Sequence, residues 1–155
     1  MRMSLLGFEH VFADAVEYAV APNLSVKVIS LPVLALLKIV AYLDNPYERE
    51  KDVEDLATLL TRYEPDDAAR FSDEVLDAGL SYDTAGPFLI GKALRALCSN
   101  EEAALVENFL SQVDHEESRS FNIFARTLNT ATDEASASRA HTLLEALTLG
   151  FRSNR

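Results

Sequence analysis

The stretch Leu-Pro-Val-Leu-Ala-Leu-Leu-Lys-Ile-Val-Ala-Tyr, residues 31–42, decides how this chain folds. It is apolar almost all round a helical wheel, which is typical of a helix at the centre of a core. Ser30 can cap this helix, and Pro32 suits its first turn. One cation, Lys38, interrupts the apolar run. Because a buried ammonium without a partner is costly, Lys38 needs a carboxylate or a phosphate beside it.

Two aspartates lie near the start of the next helix, in the segment Arg-Glu-Lys-Asp-Val-Glu-Asp-Leu, residues 49–56. On a helical wheel Asp52 falls inside the edge of the apolar arc, and Asp55 falls just outside it on the same flank. Both carboxylates therefore border the packed face, and they are the acids nearest in sequence that could pair with Lys38. A purely local alternative stays open, because acids in a first turn favour the helix dipole and Lys51 and Asp55 form an i,i+4 pair.

The rest of the chain predicts a small β element followed by helices. Residues 16–29 predict two strands about the turn 21–23, and residues 4–15 predict a short helix. The apolar side chains expected to face inward from that short helix are Leu5, Leu6, Phe8, Val11 and Phe12. Beyond residues 31–43, further helices are predicted at about residues 48–63, 66–78, 87–97, 99–113, 120–131 and 133–151.

A length of 155 residues fits one domain, residues 1–155, of the mainly α (α+β) class. A short helix and a β-hairpin are expected within residues 1–30, and a helical region within residues 31–155. An isolated two-stranded hairpin is marginal in water, so the β element is expected to pair with something else.

The charge balance limits the partners. The chain carries 25 acidic and 14 basic residues, a net charge of −11, which opposes binding to nucleic acid or to an anionic membrane. Only residues 119–155 carry more bases than acids, and a solvated helix face is the simpler interpretation of their arginines. The single cysteine, Cys98, predicts a small core residue and a cytoplasmic protein without an internal disulfide. No apolar run in the sequence is long enough to span a bilayer.

Five short segments follow one another in a characteristic order along residues 4–97. They are Leu-Leu-Gly-Phe (5–8), a strand ending at Ser30, Leu-Leu-Lys-Ile-Val-Ala (36–41), Lys-Asp-Val-Glu-Asp-Leu (51–56) and Ala-Gly-Pro-Phe-Leu-Ile-Gly-Lys (85–92). This succession resembles the later part of bacterial nucleotidyltransferases similar to the AbiEii-type abortive-infection toxins, in the polymerase-β-like superfamily. The resemblance implies the C-terminal half of a nucleotidyltransferase fold. It also implies that Lys38 contacts nucleotide phosphates and that Lys51, Asp52 and Asp55 belong to the same nucleotide-binding site.

Two elements that this superfamily uses for catalysis are absent from the sequence. Nucleotidyl transfer needs a Gly-Ser turn to hold the triphosphate and an Asp-x-Asp pair to hold magnesium, since hard cations require oxygen ligands. The chain has no Gly-Ser and no Asp-x-Asp, so no catalytic residue and no metal ligand is assigned. By resemblance it starts after that segment, whether through a truncated gene, a chosen start site or an excised domain. We therefore expect it to be inactive alone, with Mg²⁺ and a nucleoside triphosphate as cofactors only if a missing N-terminal half completes it.

Three functional hypotheses stay open from the sequence. The chain is a nucleotidyltransferase-derived domain with a residual nucleotide or partner site, a helical interaction module of a toxin–antitoxin or phage-defence system, or an enzyme completed by another polypeptide. An exposed sheet edge and an uncovered helix face favour a homodimer or a partner chain. The three histidines, His10, His115 and His141, show no metal-ligand spacing, and ordinary surface or core roles are expected for them.

Overall fold

The structure is a computed structural model, and it describes residues 4–153. Within that range it is mainly helical, with one antiparallel hairpin near the N-terminus, which confirms the predicted fold class. The elements follow in the order α1 (His10–Ala13), β1 (Val16–Ala21), β2 (Leu24–Val28), α2 (Leu31–Asp44), α3 (Glu50–Arg62), α4 (Asp67–Arg70), α5 (Asp73–Asp77), α6 (Tyr82–Leu97), α7 (Asn100–Val113), α8 (Arg119–Leu128) and α9 (Asp133–Arg152). Residues 1–3 and 154–155 of the predicted domain, Arg155 among them, lie outside the described range.

Helix α2 lies at the centre of the core, as its composition predicts. It packs against α3, α6 and α7, and the ring of Tyr42 meets that of Phe109 edge-on, with centroids 6.0 Å apart. The C-terminal region joins the same core, because α8 packs on α3 and α9 packs on α6. Five apolar side chains of α9 are buried in this core: Ala140, Leu143, Leu144, Leu147 and Phe151. Among the described helices, none combines the length and apolarity needed to cross a membrane.

Two glycines bring α6 and α9 into close contact. A Cβ atom on Gly91 would lie 2.1 Å from the carbonyl oxygen of Leu147, and one on Gly150 would lie 2.0 Å from that of Phe88. Neither distance allows any side chain at these positions. Glycine is a poor helix former. The close approach of the two backbones explains why α6 nevertheless has a glycine at position 91.

Two predicted helix boundaries were wrong. Helix α6 begins at Tyr82 rather than Pro87, because Ser81 and Thr84 form a reciprocal cap one turn earlier. Pro87 lies inside the helix, where it only removes one donor to the backbone. The predicted helix over residues 66–78 is divided into α4 and α5, since Ser72 takes an extended conformation and starts a new helix.

The predicted helix over residues 4–15 was also wrong. Gly7 has a φ of +83°, which ends helical geometry there, and only His10–Ala13 is helical. The predicted inward orientation fails for three side chains, since Leu5, Phe8 and Phe12 are exposed. The close packing of Gly7 against Leu36 explains why the segment bends at this point.

The hairpin is confirmed, and it buries none of its side chains in the rest of the chain. Val16 pairs with Val28 and Tyr18 pairs with Val26, so these apolar residues share one face by strand alternation. All six large apolar side chains of the two strands are between 41% and 56% exposed, namely Val16, Tyr18, Val20, Leu24, Val26 and Val28. We call this surface the apolar hairpin face. Within the described residues the sheet has two strands, so each keeps one edge unpaired.

Candidate site around Lys38

The lysine on the central helix lies between the two predicted aspartates. The Nζ atom of Lys38, in the third turn of α2, donates to Asp52 Oδ1 at 2.9 Å and to Asp55 Oδ2 at 2.6 Å. Both acids lie in the first half of α3, three residues apart, so one helical turn brings them to the same cation. The predicted salt-bridged cluster between consecutive helices is therefore confirmed.

Burial and hydrogen bonding act in opposite directions on the cluster. Asp52 is 5% exposed, while Lys38 and Asp55 are partly exposed. Burial works against the charged ammonium, but the hydrogen bonds that it donates to Asp55 and Asp52 outweigh this effect, and the pKa of Lys38 is raised. The hydrogen bond from Lys38 lowers the pKa of Asp55 in spite of its partial burial. Each charge therefore stabilises the other over a wide range of pH.

A second cation, Arg49, was missed from the sequence. Its Nε atom lies 2.7 Å from Asp52 Oδ2, so both oxygens of this buried carboxylate meet a cation. The i,i+3 spacing of Arg49 and Asp52 was the available signal. Lys51 lies farther out, with its ammonium 3.7 Å from Asp55 Oδ1 and its side chain 82% exposed.

A cavity of about 220 Å³ opens beside the cluster. Lys38, Arg49 and Asp52 line its polar side, and Asp44 closes one end. Its apolar wall comes from the N-terminal segment and α2, namely Leu6, Phe8, Leu34, Leu37, Val40 and Ala41. Of the four site residues predicted from the sequence, the structure places Lys38 and Asp52 at this cavity, whereas Asp55 and Lys51 are not among its lining residues.

The cavity is small for a complete ligand site. Pockets that enclose a small molecule usually measure about 300–1,000 Å³, so this one has room for a part of a nucleotide and not for a whole triphosphate. An ammonium carries three donors, and two of those on Lys38 are used by the aspartates. One donor of the ammonium is therefore not used by the two aspartates.

The cluster does not suit the magnesium ions that the resemblance would imply. Mg²⁺ takes carboxylate oxygens that are free to converge on it. Here both oxygens of Asp52 meet cations, and Asp55 is held by Lys38 and approached by Lys51. The cluster is therefore a set of ion pairs in which every named carboxylate already lies beside a cation.

The arginines of residues 119–155 are largely engaged with acids of the same chain. Arg119 pairs with Glu50, and Arg126 lies between Glu50 and Glu54. These contacts tie α8 to α3 and place acids beside both arginines. Cys98 packs against the core as predicted, and burial raises the pKa of its thiol to about 12.

Comparison with known proteins adds no relative. No protein-family model matches the chain, and neither a curated protein nor a solved structure is significantly similar to it. The likeness to nucleotidyltransferases therefore depends on the five sequence segments and on the residues around Lys38.

Proposed function

We propose that this chain acts as the C-terminal, helical portion of a nucleotidyltransferase-like protein and contributes a phosphate contact, Lys38, to a shared nucleotide site. The observation that carries the proposal is the position of that ammonium, fixed between Asp52 and Asp55 at the edge of a cavity. The order of the five segments supports it, since the same lysine and the same acids are the residues that the resemblance implies.

The two aspartates position the lysine and do not take part in chemistry. They hold the ammonium in one place, so its remaining donor is directed without loss of side-chain freedom when a phosphate arrives. Arg49 provides a second charge at the same cavity. Charge-assisted hydrogen bonds of this kind are stronger than neutral ones, and they suit a polyanionic ligand.

Catalysis requires groups that this chain does not supply. We propose that the apolar hairpin face and the free strand edges receive a polypeptide segment that carries a Gly-Ser turn and an Asp-x-Asp pair. An added strand would satisfy the unpaired backbone groups, and an added layer would cover the six exposed apolar side chains. Alone, the chain is then a binding domain without transferase activity.

A second function is favoured by one feature of the same site. The Lys38 charge is already balanced by Asp52 and Asp55, and the cavity is too small for a triphosphate. In this interpretation the cluster only stabilises the packing of α2 on α3, and the chain is an interaction module that binds a protein through the hairpin without any nucleotide.

Calorimetric titration with ATP and Mg²⁺ distinguishes the two functions. We expect the wild-type chain to bind the nucleotide and Lys38→Ala to lose binding. Lys92→Ala is the matched control, because Lys92 forms a comparable ion pair with Glu74 away from the cavity. Absence of nucleotide binding in the wild type, together with lower stability of Lys38→Ala, would refute the nucleotide site and favour the interaction module.

A further inference from the structure

Three ligand-type side chains meet where the N-terminal segment touches α7. The Nε2 atom of His10 lies 3.2 Å from Glu102 Oε1 and 3.9 Å from Glu9 Oε1. One ligand atom from each of the three residues lies within 4.8 Å of the other two. His10 and Glu102 are 92 positions apart in the chain, so the fold alone brings them together.

Glu102 is the feature that sets this cluster apart from an ordinary surface pair. Its side chain is 1% exposed, and its Oε2 atom accepts from the backbone N–H of Ser99 in the cap of α7. The other oxygen, Oε1, is buried and accepts no hydrogen bond, although His10 Nε2 is its neighbour at 3.2 Å. A buried carboxylate oxygen without such a bond is costly, so a group that binds it would be stabilising.

We propose that His10, Glu102 and Glu9 bind a divalent transition-metal ion, with Zn²⁺ as the cation of matching chemistry. Imidazole nitrogen and carboxylate oxygen are both ligand types that zinc takes, and three protein ligands leave the fourth position to a water. Two ligands of a tetrahedral zinc lie about 3.4 Å apart, given metal–ligand distances near 2.1 Å. The 3.2 Å between His10 Nε2 and Glu102 Oε1 is close to that spacing. Glu9 is 77% exposed, so its side chain is free to close the remaining distance.

Asp14 orients the histidine for this role. Its Oδ2 atom lies 3.2 Å from His10 Nδ1, on the opposite side of the ring from the acids of the site. An Nδ1–H donated to Asp14 leaves the Nε2 lone pair available to a metal, which is the usual carboxylate–histidine–metal arrangement. A protonated imidazole that pairs with both acids is the competing state, and the experiment below separates the two.

A metal ion at this site would connect two parts of the chain that are distant in sequence. Glu9 and His10 belong to the segment that leads directly into β1, while Glu102 is fixed in the first turn of α7. A bound ion would therefore attach the base of the hairpin to the helical region. This inference is independent of the proposed nucleotide site, which shares none of these residues.

Zinc titration of the metal-free full chain tests the proposal. We expect calorimetry at pH 7.5 to show one equivalent of Zn²⁺ bound, with thermal unfolding shifted upward by the ion. His10→Ala should weaken binding at least tenfold, and so should Glu102→Gln, which keeps an acceptor for the Ser99 N–H. His141→Ala is the matched control, because His141 forms a similar exposed pair with Glu116.

Two results would overturn the site. One is a wild-type chain that binds no Zn²⁺ at millimolar concentration, which would leave a protonated histidine between acids as the correct description. The other is binding that survives in His10→Ala and Glu102→Gln or is lost in His141→Ala. Circular dichroism of each variant confirms folding, and the two substitutions act on different elements, so the test does not depend on either one alone.

Discussion

The hairpin and the helical bundle both carry large apolar side chains, which are exposed in the hairpin and buried in the bundle. Leu36 of α2 is completely buried, whereas Val26 of β2 is 41% exposed, and no hairpin residue is buried. The helices bury their apolar faces against one another, α9 on α6 and α8 on α3. The hairpin has no such surface within the described residues. The bundle therefore buries its apolar side chains by its own contacts, while those of the hairpin stay exposed within the described part of the chain.

The Lys38 cluster lies in the bundle, beside the segment that precedes the hairpin. Its cavity is bounded on one side by the segment before the hairpin, with Leu6 and Phe8, and on the other by α2 and the start of α3. The segment before the hairpin therefore contributes to the cavity, while none of the residues that line it belongs to β1 or β2.

The largest expected loss of stability comes from a change at the close contact between α6 and α9. Gly91→Ala should lower the free energy of unfolding by about 3 kcal/mol, because its Cβ would overlap the carbonyl of Leu147 and force α6 and α9 apart. Urea denaturation followed by circular dichroism measures the loss. Ala96→Ser, on an exposed position of the same helix, should change stability by no more than about 0.5 kcal/mol. A loss below about 1 kcal/mol for Gly91→Ala would contradict the tight contact.

The next largest loss of stability is expected when the Lys38 cluster loses its lysine. Lys38→Ala leaves the buried Asp52 with Arg49 as its remaining cation and should cost about 2 kcal/mol, less than a fully buried pair because Lys38 is a quarter exposed. Chemical denaturation at pH 7 gives the value. The surface pair of Lys92 with Glu74 is the comparison, and Lys92→Ala should cost under about 1 kcal/mol. Equal losses in both variants would mean that burial adds nothing to the Lys38 cluster.

Helical periodicity predicted the Lys38 cluster, because the residues that form it lie on two helices that follow each other in the sequence. The helical wheel placed Asp52 at the edge of the apolar face, and the cost of an unpaired ammonium in α2 required an acid on the adjoining helix. Arg49 was missed because it lies at the cap of α3, outside the wheel on which the acids were compared. The reciprocal cap of α7 by Ser99 and Glu102 depends on a pattern that is equally local in the sequence.

What could not be predicted depends on distant contacts. The approach of His10 to Glu102 joins positions 92 apart, and spacing along the sequence gives no sign of it. The predicted N-terminal helix was wrong because periodicity was extended through Gly7, whose positive φ reflects packing against α2. Pro87 was taken as a helix start, although the Ser81 cap already began α6 one turn earlier. In each case a tertiary or capping contact overrode the local pattern.

The contribution of the Lys38 cluster to stability should depend on pH at both ends of the pH range. The pKa of Asp55 lies below its ordinary value of 3.8, so its contribution is present above that pH and is lost as the pH falls through the lowered pKa. The pKa of Lys38 lies above 10.5, so its contribution is complete below that pH and is lost as the pH rises through the raised pKa. We expect the stability difference between wild type and Lys38→Ala to be constant from about pH 5 to 9 and to shrink outside that range. A difference that varies within this range would show that other groups control it.

The smallest effect on stability should accompany a large effect on association. Val26→Lys, on the apolar hairpin face, should change the free energy of unfolding by no more than about 0.5 kcal/mol, because the side chain is exposed. Without a partner segment, the wild-type face should bind a second copy, and light scattering after size exclusion should give a dimer at high concentration. Val26→Lys should then be monomeric, while Ser25→Lys, on the other face of β2, should behave as the wild type. A wild-type monomer at the highest concentration would contradict the expected association, because six exposed apolar side chains on one hairpin favour it.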